Sequence, residues 1–493
     1  MKPFFISTAI PYVNAPGHLG HALEFIQADV IARYQRILGS KVFFLTGTDE
    51  NSLKNVRAAE DLGISPKELV DKNSAKFQAL KQPLNLSWDD FIRTTEERHF
   101  KGAQKLWLAC KADIYKKTYA GLYCVGCEAF YEEDEIKDGR CPEHQVALER
   151  IEEENYFFKL SKYEKQLLEL IESDKLRIVP ASRKNEVVSF IRTGLKDICI
   201  SRSAERAKGW GVQVPGDSSQ IIWVWFDALP NYINALGYGE DGPRFQEFWE
   251  GEGTKLHVIG KGIIRFHAVY WSAMLLSAKL ALPDTIFVHG YITVAGKKMS
   301  KSLGNVVDPF PLIEKYGADA VRYFLLREIP SAEDGDFTQE KFEERYNADL
   351  ANGLGNLVAR VLGLALEIKM YSPGDFVHAT VQEALLKEAI EKAHKASSFA
   401  VEEFKFNDAL LAIWELIAFC NQYIDQHHPW EASPNNWGGS KEKKIVGDLA
   451  ATLQEIGNLL SPFLPDTAKE IVKECTLESE VRSNLFPRIW PSS

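Results

Sequence analysis

Apolar positions along the chain keep two different rhythms. Near the start, Phe4-Phe5-Ile6-Ser7-Thr8-Ala9-Ile10 is a short apolar run suited to a buried strand. A turn segment from Pro11 to Gly17 follows. A helical pattern then runs from about His18 to Leu38, with Leu19, Leu23, Ile26, Val30 and Ile31 on one side. Lys41-Val42-Phe43-Phe44-Leu45-Thr46 is a second strand, so the chain opens strand–helix–strand, the order of a parallel sheet with crossover helices. Residues from about 115 to 222 break the rhythm with acidic stretches and Gly/Pro turns and read as an insertion. The α/β pattern resumes at Ile221-Ile222-Trp223-Val224-Trp225-Phe226, Leu256-His257-Val258-Ile259-Gly260 and Thr285-Ile286-Phe287-Val288-His289. From about residue 340 the period is helical, as in Leu350, Leu354, Leu357, Val361 and Leu364. Loops are expected around Pro373-Gly374 and from Pro434 to Gly439, and this part reads as a helix bundle.

Bulk properties narrow this picture only a little. A length of 493 residues suggests about three domains. The composition, 45% hydrophobic and 26% charged, is that of a globular protein. No apolar run approaches the ~18–20 residues that span a bilayer, and the N-terminus is too short an apolar stretch for a signal peptide. A soluble, cytoplasmic protein with no membrane partner is expected. The net charge of −11 leaves nucleic-acid binding to local basic patches.

Two segments carry phosphate chemistry. In His18-Leu19-Gly20-His21 the histidines share one face of a helix start that follows a strand, and helix N-termini favour anions. Gly20 removes a side chain, so a flat base or ribose can approach the backbone. Lys298-Met299-Ser300-Lys301-Ser302 is a basic loop after the strand ending near His289, with mobile point charges for phosphates. Alone, the first is two solvated helix-start histidines and the second a solvated lysine run. Each follows a strand of one α/β frame, and their coincidence points to a nucleotide triphosphate.

With these two signatures the chain resembles the class I aminoacyl-tRNA synthetases. The resemblance implies attack of an amino-acid carboxylate on the α-phosphate of ATP, followed by transfer to tRNA. His18 and His21 are then expected to hold the phosphates in the transition state, and Lys298 and Lys301 to cover the departing pyrophosphate, with Mg²⁺ sharing the charge. Gly20, His289, Gly290, Ile292, Ser300 and Ser302 are expected to bind the rest of ATP, the half-signature Val288-His289-Gly290-Tyr291 lying near the adenine.

Further stretches resemble the methionyl-tRNA synthetase family: Ala9-Ile10-Pro11-Tyr12-Val13-Asn14, Gly47-Thr48-Asp49-Glu50, Trp225-Phe226-Asp227-Ala228-Leu229-Pro230-Asn231-Tyr232 and Ile263-Ile264-Arg265-Phe266-His267. The resemblance implies that Ala9, Ile10, Tyr12, Trp225, Ala228, Leu229, Tyr232, Ile263 and His267 surround the L-methionine side chain, and that Asp49 pairs with the substrate ammonium. The chemistry is sensible by itself. A thioether is apolar, polarizable and a weak acceptor, so aromatic walls with one or two weak donors, Tyr12 and His267, suit it. Each aromatic taken singly reads as core packing. The chain departs from the family at Gly260-Lys261-Gly262, where an aspartate usually contacts the ribose. Either another group, such as Glu240 or Asp241, covers the ribose hydroxyls, or ATP binds more weakly.

Cys124-x-x-Cys127 and Cys141-x-x-His144 form a Cys₃His set with the spacing of structural tetrahedral zinc, against the alternative of two unrelated reduced cysteine pairs. The resemblance places this knuckle in a connective insertion of a bacterial-type member. In the helical part Asn352, Asn356 and Arg360 recur every four residues on one helix. The family's anticodon-binding helix carries an Asn and an Arg four apart, matching Asn356 and Arg360, and its stacking tryptophan follows a proline, matching Pro429-Trp430. Without that match the three are a solvated helix face and a loop anchor.

The resemblance implies a Rossmann-type parallel-sheet catalytic domain, split by a zinc-binding insertion and followed by an all-α anticodon-binding bundle. The halves of the catalytic domain are 1–114 and 223–297, and the insertion is 115–222. A KMSKS and stem-contact region spans 298–345 and the anticodon domain 346–493. The partners implied are L-methionine, ATP and tRNA(Met), and a monomer is the expected state. Other readings are a class I enzyme for a different amino acid, a small-molecule nucleotidyltransferase, and a non-catalytic RNA-binding relative.

Overall fold

Strand Pro3–Thr8 lies at the centre of a six-stranded, all-parallel sheet in the computed structural model. In space the strands run Asp90–Arg93, Lys41–Thr48, Pro3–Thr8, Thr254–Gly260, Thr285–His289 and Arg177–Val179. The described residues are 1–124, 129–131, 136, 139–141, 146–299, 304–367, 380–430, 440–476 and 485–489. Consecutive strand residues such as Phe5 and Ile6, Phe44 and Leu45, Val258 and Ile259 are all buried. Burial of adjacent positions means that both sheet faces are covered, which explains why these strands read as unbroken apolar runs.

Strand order diverges from the pair Pro3–Thr8 and Thr254–Gly260, the kind of switch point at whose carboxyl end α/β folds hold ligands. Because every strand points the same way, residues 9–12, Asp49, residues 261–263 and His289 all emerge at or next to that one edge.

The chain divides into two compact units. The first comprises residues 1–17, 35–81 and 87–289. Within it, Ile114–Cys124 and Glu149–Phe158 form a long antiparallel pair, flanked by Ala129–Tyr131 and Ile198–Cys199. One expected strand is corrected. The run Ile221–Phe226 is not a single strand: Asp217–Ile222 is the middle strand of an antiparallel three-stranded sheet and stops at Ile222, and Trp225 sits on the short helix Val224–Ala228. A short apolar run does not distinguish a strand from a buried helical turn, and here Asp227 N already closes a helical bond on Trp223 O at 2.9 Å.

The second unit holds residues 18–34, 82–86 and 290–493. It contains most of helix Leu19–Ile37, a small sheet of Ile292–Val294, Lys297–Lys298 and Gly335–Phe337, and the helices after it. Gln339–Arg345 passes through a wider π-helical stretch, Tyr346–Gly355, into Asn356–Glu367. Ala384–Glu402, Phe406–His427, Ser440–Leu460 and Pro465–Thr476 follow. Leu350, Leu354, Leu357, Val361 and Leu364 are all buried, as their spacing predicts. The loops expected near Pro373 and Pro434 lie outside the described residues. Inside this unit, buried Asp29 pairs with Arg322 at 2.8 Å and Arg33 at 2.7 Å. Arg322 also donates to the carbonyls of Leu84, Pro462 and Phe463, so this buried guanidinium is well satisfied.

Candidate active site

Helix Leu19–Ile37 begins on the motif histidines. The His18 and His21 rings stack with centroids 4.0 Å apart. Gly20 N donates to His18 Nδ1 and His18 N donates to His21 Nδ1, each at 3.1 Å. With both Nδ1 atoms accepting, the ring protons reside on Nε2. Burial holds the His18 pKa below its ordinary value, so this ring is a neutral donor near pH 7. Leu19 N bonds to Val307 O at 2.9 Å, and a Cβ on Gly20 would lie 3.5 Å from Met299 Cε. The unit therefore brings the two signature segments together, with glycine leaving the space between them open.

Lys297–Lys298 is the second strand of a tight hairpin with Ile292–Val294. Its two-residue turn, Ala295-Gly296, has positive φ at both positions, as type I′ hairpins require. Lys298 thus starts on a strand rather than in an open loop. Ser300, Lys301 and Ser302 lie outside the described residues. His289 ends its strand buried. At Gly290 a Cβ would come within 2.0 Å of Glu333 O, so only glycine fits, and Ile292 next to it is buried.

In the first unit Ala9, Ile10, Tyr12, Asp49, Ile263 and His267 follow the carboxyl ends of parallel strands, and the short helices Val224–Ala228 and Asn231–Asn234 bring Trp225 and Tyr232 against them. Asp49 is buried, bridges in register with Tyr12, and donates its N–H to Pro11 O at 2.9 Å. Tyr12 meets Trp225 edge-on at 6.4 Å, and Trp225 lies flat on Phe266 at 3.7 Å. His267 stands edge-on to Trp225 at 6.5 Å. Ala9, Ala228, Leu229 and Tyr232 are buried, whereas Ile10 and Ile263 are half-buried.

The His267 ring corrects one expectation. Its Nδ1 lies 3.0 Å from Ile263 O, which can only accept, so the proton is there. Nε2 is then the acceptor for the Tyr232 hydroxyl at 2.6 Å. Burial pushes the His267 pKa down to about 4, and the neutral ring has no N–H left for a thioether. A second histidine, His257, stands behind it. Its Nε2 accepts from Trp271 Nε1 at 3.3 Å and its Nδ1 donates to Ser7 Oγ at 2.7 Å. Its ring packs 4.2 Å from that of Tyr232.

Gly262, where the family usually has an aspartate, is exposed. Glu240 and Asp241 face helix Glu97–Ala109 instead, pairing with Lys101 at 3.3 Å and Lys105 at 2.7 Å.

In the knuckle, Cys124 and Cys141 are buried and neither is in a disulfide. Cys141 N bonds to Val146 O at 2.9 Å. Cys127 and His144 lie outside the described residues. Among the described residues no group of three or more His, Cys, Asp or Glu could hold a metal.

In the helical unit Asn356 and Arg360 converge on Asn421 Oδ1, at 3.3 and 3.2 Å. Arg360 also pairs with Asp425 and sits 5.9 Å from the ring centre of Trp430, which is 38% exposed. Asn352, on the π-helical stretch, bonds Arg488 instead at 2.5 Å.

The profile of the tRNA synthetases class I (M) matches residues 4–153 and 146–362, and that of the anticodon-binding domain of tRNA ligase matches 384–493. The methionine–tRNA ligase of Brucella suis biovar 1 (strain 1330) is 43% identical over 98% of this chain and 93% of its own. The chain belongs to the methionyl-tRNA synthetase family. Another member, the methionine–tRNA ligase of Caldanaerobacter subterraneus subsp. tengcongensis, is 41% identical over 97% of this chain and 75% of its own. The solved Mycobacterium tuberculosis methionyl-tRNA synthetase in complex with methionyl-adenylate superposes with a TM-score of 0.89 at 39% identity, covering 96% of this chain and 93% of that one. The apo form of that enzyme gives 0.85 at 35% identity, covering 100% of this chain and 99% of that one. The Rossmann-type sheet and the helical anticodon-binding bundle are thus the architecture of the family.

Sequence reasoning overlooked His257, Phe266, Asn51 and Asp227 in this methionyl-tRNA synthetase fold. A signal for His257 existed: a titratable residue in the middle of an apolar strand run needs buried partners. Phe266, Asn51 and Asp227 each adjoin a residue that was singled out.

Proposed function

We propose that the chain activates L-methionine with ATP to methionyl-adenylate and transfers the methionyl group to tRNA(Met). The observation that carries the amino acid is the aromatic wall of Tyr12, Trp225 and Tyr232 around a neutral, internally bonded His267. Such a surface offers polarizable faces to a thioether.

In this reading Asp49 takes the substrate ammonium, and the methionine carboxylate attacks the α-phosphate of ATP while pyrophosphate leaves. His18 and His21 donate from Nε2 to phosphate oxygens as charge moves onto them, and Lys298 and Lys301 neutralise the departing pyrophosphate. Gly20, His289, Gly290, Ile292, Ser300 and Ser302 complete the ATP contacts. A terminal ribose hydroxyl of tRNA then attacks the acyl carbon and AMP leaves. Mg²⁺ bound with ATP supplies further charge neutralisation on the phosphates.

Cys124, Cys127, Cys141 and His144 would hold a structural zinc. The buried pair Cys124 and Cys141 suits thiolate ligation, and four protein ligands leave no open position for chemistry. Asn356 and Arg360 would read anticodon base edges and Trp430 would stack on a base. No helix among the described residues is long and apolar enough to cross a membrane. The cytoplasm and a monomer complete the reading.

The test is ATP–pyrophosphate exchange with a panel of amino acids, run beside tRNA charging. Methionine alone should stimulate exchange, and stimulation by another amino acid instead would overturn the assignment. Trp430→Ala should lower tRNA(Met) charging by about ten- to hundredfold, the worth of one base–aromatic stack, with exchange unchanged. Equal losses in both assays would remove the anticodon role.

A further inference from the structure

The turn carrying Asp49 and the helix carrying Trp225 are joined by one side-chain amide. Asn51 Nδ2 donates one hydrogen to Thr94 O at 2.9 Å and the other to Asp227 Oδ2 at 2.8 Å. Asp227 is completely buried, and its second oxygen accepts from His99 Nε2 at 2.7 Å. His99 is held in turn by Asn234, whose amide nitrogen lies 3.2 Å from His99 O and 3.3 Å from its Nδ1. The Asp227 carboxylate is thus fixed by amide and imidazole donors.

On the other side, the Asp49 turn is held by Glu50. Its buried carboxylate accepts from Thr48 Oγ1 at 2.8 Å and from Arg93 Nε at 2.7 Å. That clamp fixes the turn to the sheet edge but does not reach Trp225. A hydrogen-bonded link to that helix runs through Asn51, because Asp227 follows Trp225 by two residues on helix Val224–Ala228, and it stands beside the ring contact that Tyr12, bridged to Asp49, makes with Trp225.

We propose that Asn51, backed by Asp227 and His99, is a positioning residue that sets the spacing between Asp49 and Trp225 and so fits the site to the amino acid. This rests on the reading in which Asp49 takes the ammonium and Trp225 walls the side chain. A buried carboxylate makes the link stiff, since losing one of its donors leaves a charge that neither water nor another group can satisfy. Asn51 touches no reacting atom in this scheme. Its loss therefore acts on methionine binding rather than on the phosphoryl step.

ATP–pyrophosphate exchange on the full chain tests this, with methionine and ATP titrated separately. Asn51→Ala should raise KM for methionine by about ten- to hundredfold, as expected for one hydrogen bond to a buried charge. KM for ATP and kcat should stay within about twofold. The double variant Asn51→Asp with Asp227→Asn exchanges acceptor and donor while conserving shape. It restores a donor–acceptor pair across the link but turns a carboxylate oxygen toward Thr94 O, so KM for methionine should fall below that of Asp227→Asn alone without reaching the parent value, a recovery that generic destabilisation would not give. If Asn51→Ala does not fold, the double variant against Asp227→Asn alone decides the same point. An unchanged KM in the single variants, or no recovery in the double, overturns the proposal while Asp49→Asn still raises KM. An Asp49→Asn variant with unchanged KM overturns the ammonium reading and this inference together.

Discussion

His18 and His21 in the second unit, and His257 and His267 in the first, are two pairs of the same side chain under opposite arrangements. In the first pair each ring accepts a backbone N–H of its own motif at Nδ1, which places the ring proton on Nε2. In the second pair each ring has both nitrogens engaged by other groups. The difference lies in local backbone geometry. A histidine at a helix start meets the amides that the helix leaves unpaired. A histidine in a strand or helix interior meets carbonyls, hydroxyls and indoles. One pair is therefore suited to contact a ligand through hydrogen, and the other to shape a wall without offering any.

The largest effect should come from breaking the outward pair. His21→Ala removes a donor that the proposed mechanism aims at charge developing in the transition state. Such donors are worth about 10²–10³ in kcat. Exchange should fall by that factor while KM for methionine moves less than about twofold. A large rise in methionine KM with kcat preserved would mean that the two pairs do not divide the work in this way.

A second effect tests the inward pair through pH. The His267 pKa in the folded chain is about 4, against 6.5 for the ordinary side chain. The unfolded chain therefore binds the proton first as pH falls, and stability is greatest above pH 6.5 and declines toward pH 4. At about 1.4 kcal/mol per pH unit, roughly 2 kcal/mol is lost by pH 5. His257, whose pKa burial holds well below the ordinary value, acts in the same direction. Urea unfolding at pH 7.5 and pH 5 should show a smaller drop for His267→Gln than for the parent chain. Equal drops would show that the buried ring does not stay neutral.

The outward pair was legible in the sequence because a helix start, a glycine and two histidines sit within four residues. The inward pair was half legible. His267 came from a recognisable stretch, but its role as a weak donor was misjudged, since Ile263 O, at the end of the short 3₁₀ turn Lys261–Ile263, takes its Nδ1 proton, and no periodicity reveals that turn. His257 belongs to a strand whose partners, Ser7 and Trp271, lie 250 and 14 residues away. The fold followed the same division. Strands buried on both faces announced themselves as apolar runs, whereas the turn of chain at Trp223 did not. A helical turn and a strand of six residues carry the same hydrophobic content.

The smallest effect isolates a single bond of the inward pair. Tyr232→Phe keeps the ring that packs 4.2 Å from His257 and deletes only the hydroxyl that donates to His267 Nε2. That buried nitrogen is then left without its donor, at a cost of about 1–2 kcal/mol. The ring has little freedom to respond, because Nδ1 still holds Ile263 O. The loss should therefore appear as a lower urea midpoint and as a KM for methionine raised by a few-fold, with kcat and the KM for ATP unchanged. If the variant matched the parent in both stability and methionine KM, the wall would owe its shape to ring packing alone. The bonding contrast between the two histidine pairs would then have no consequence for the amino acid.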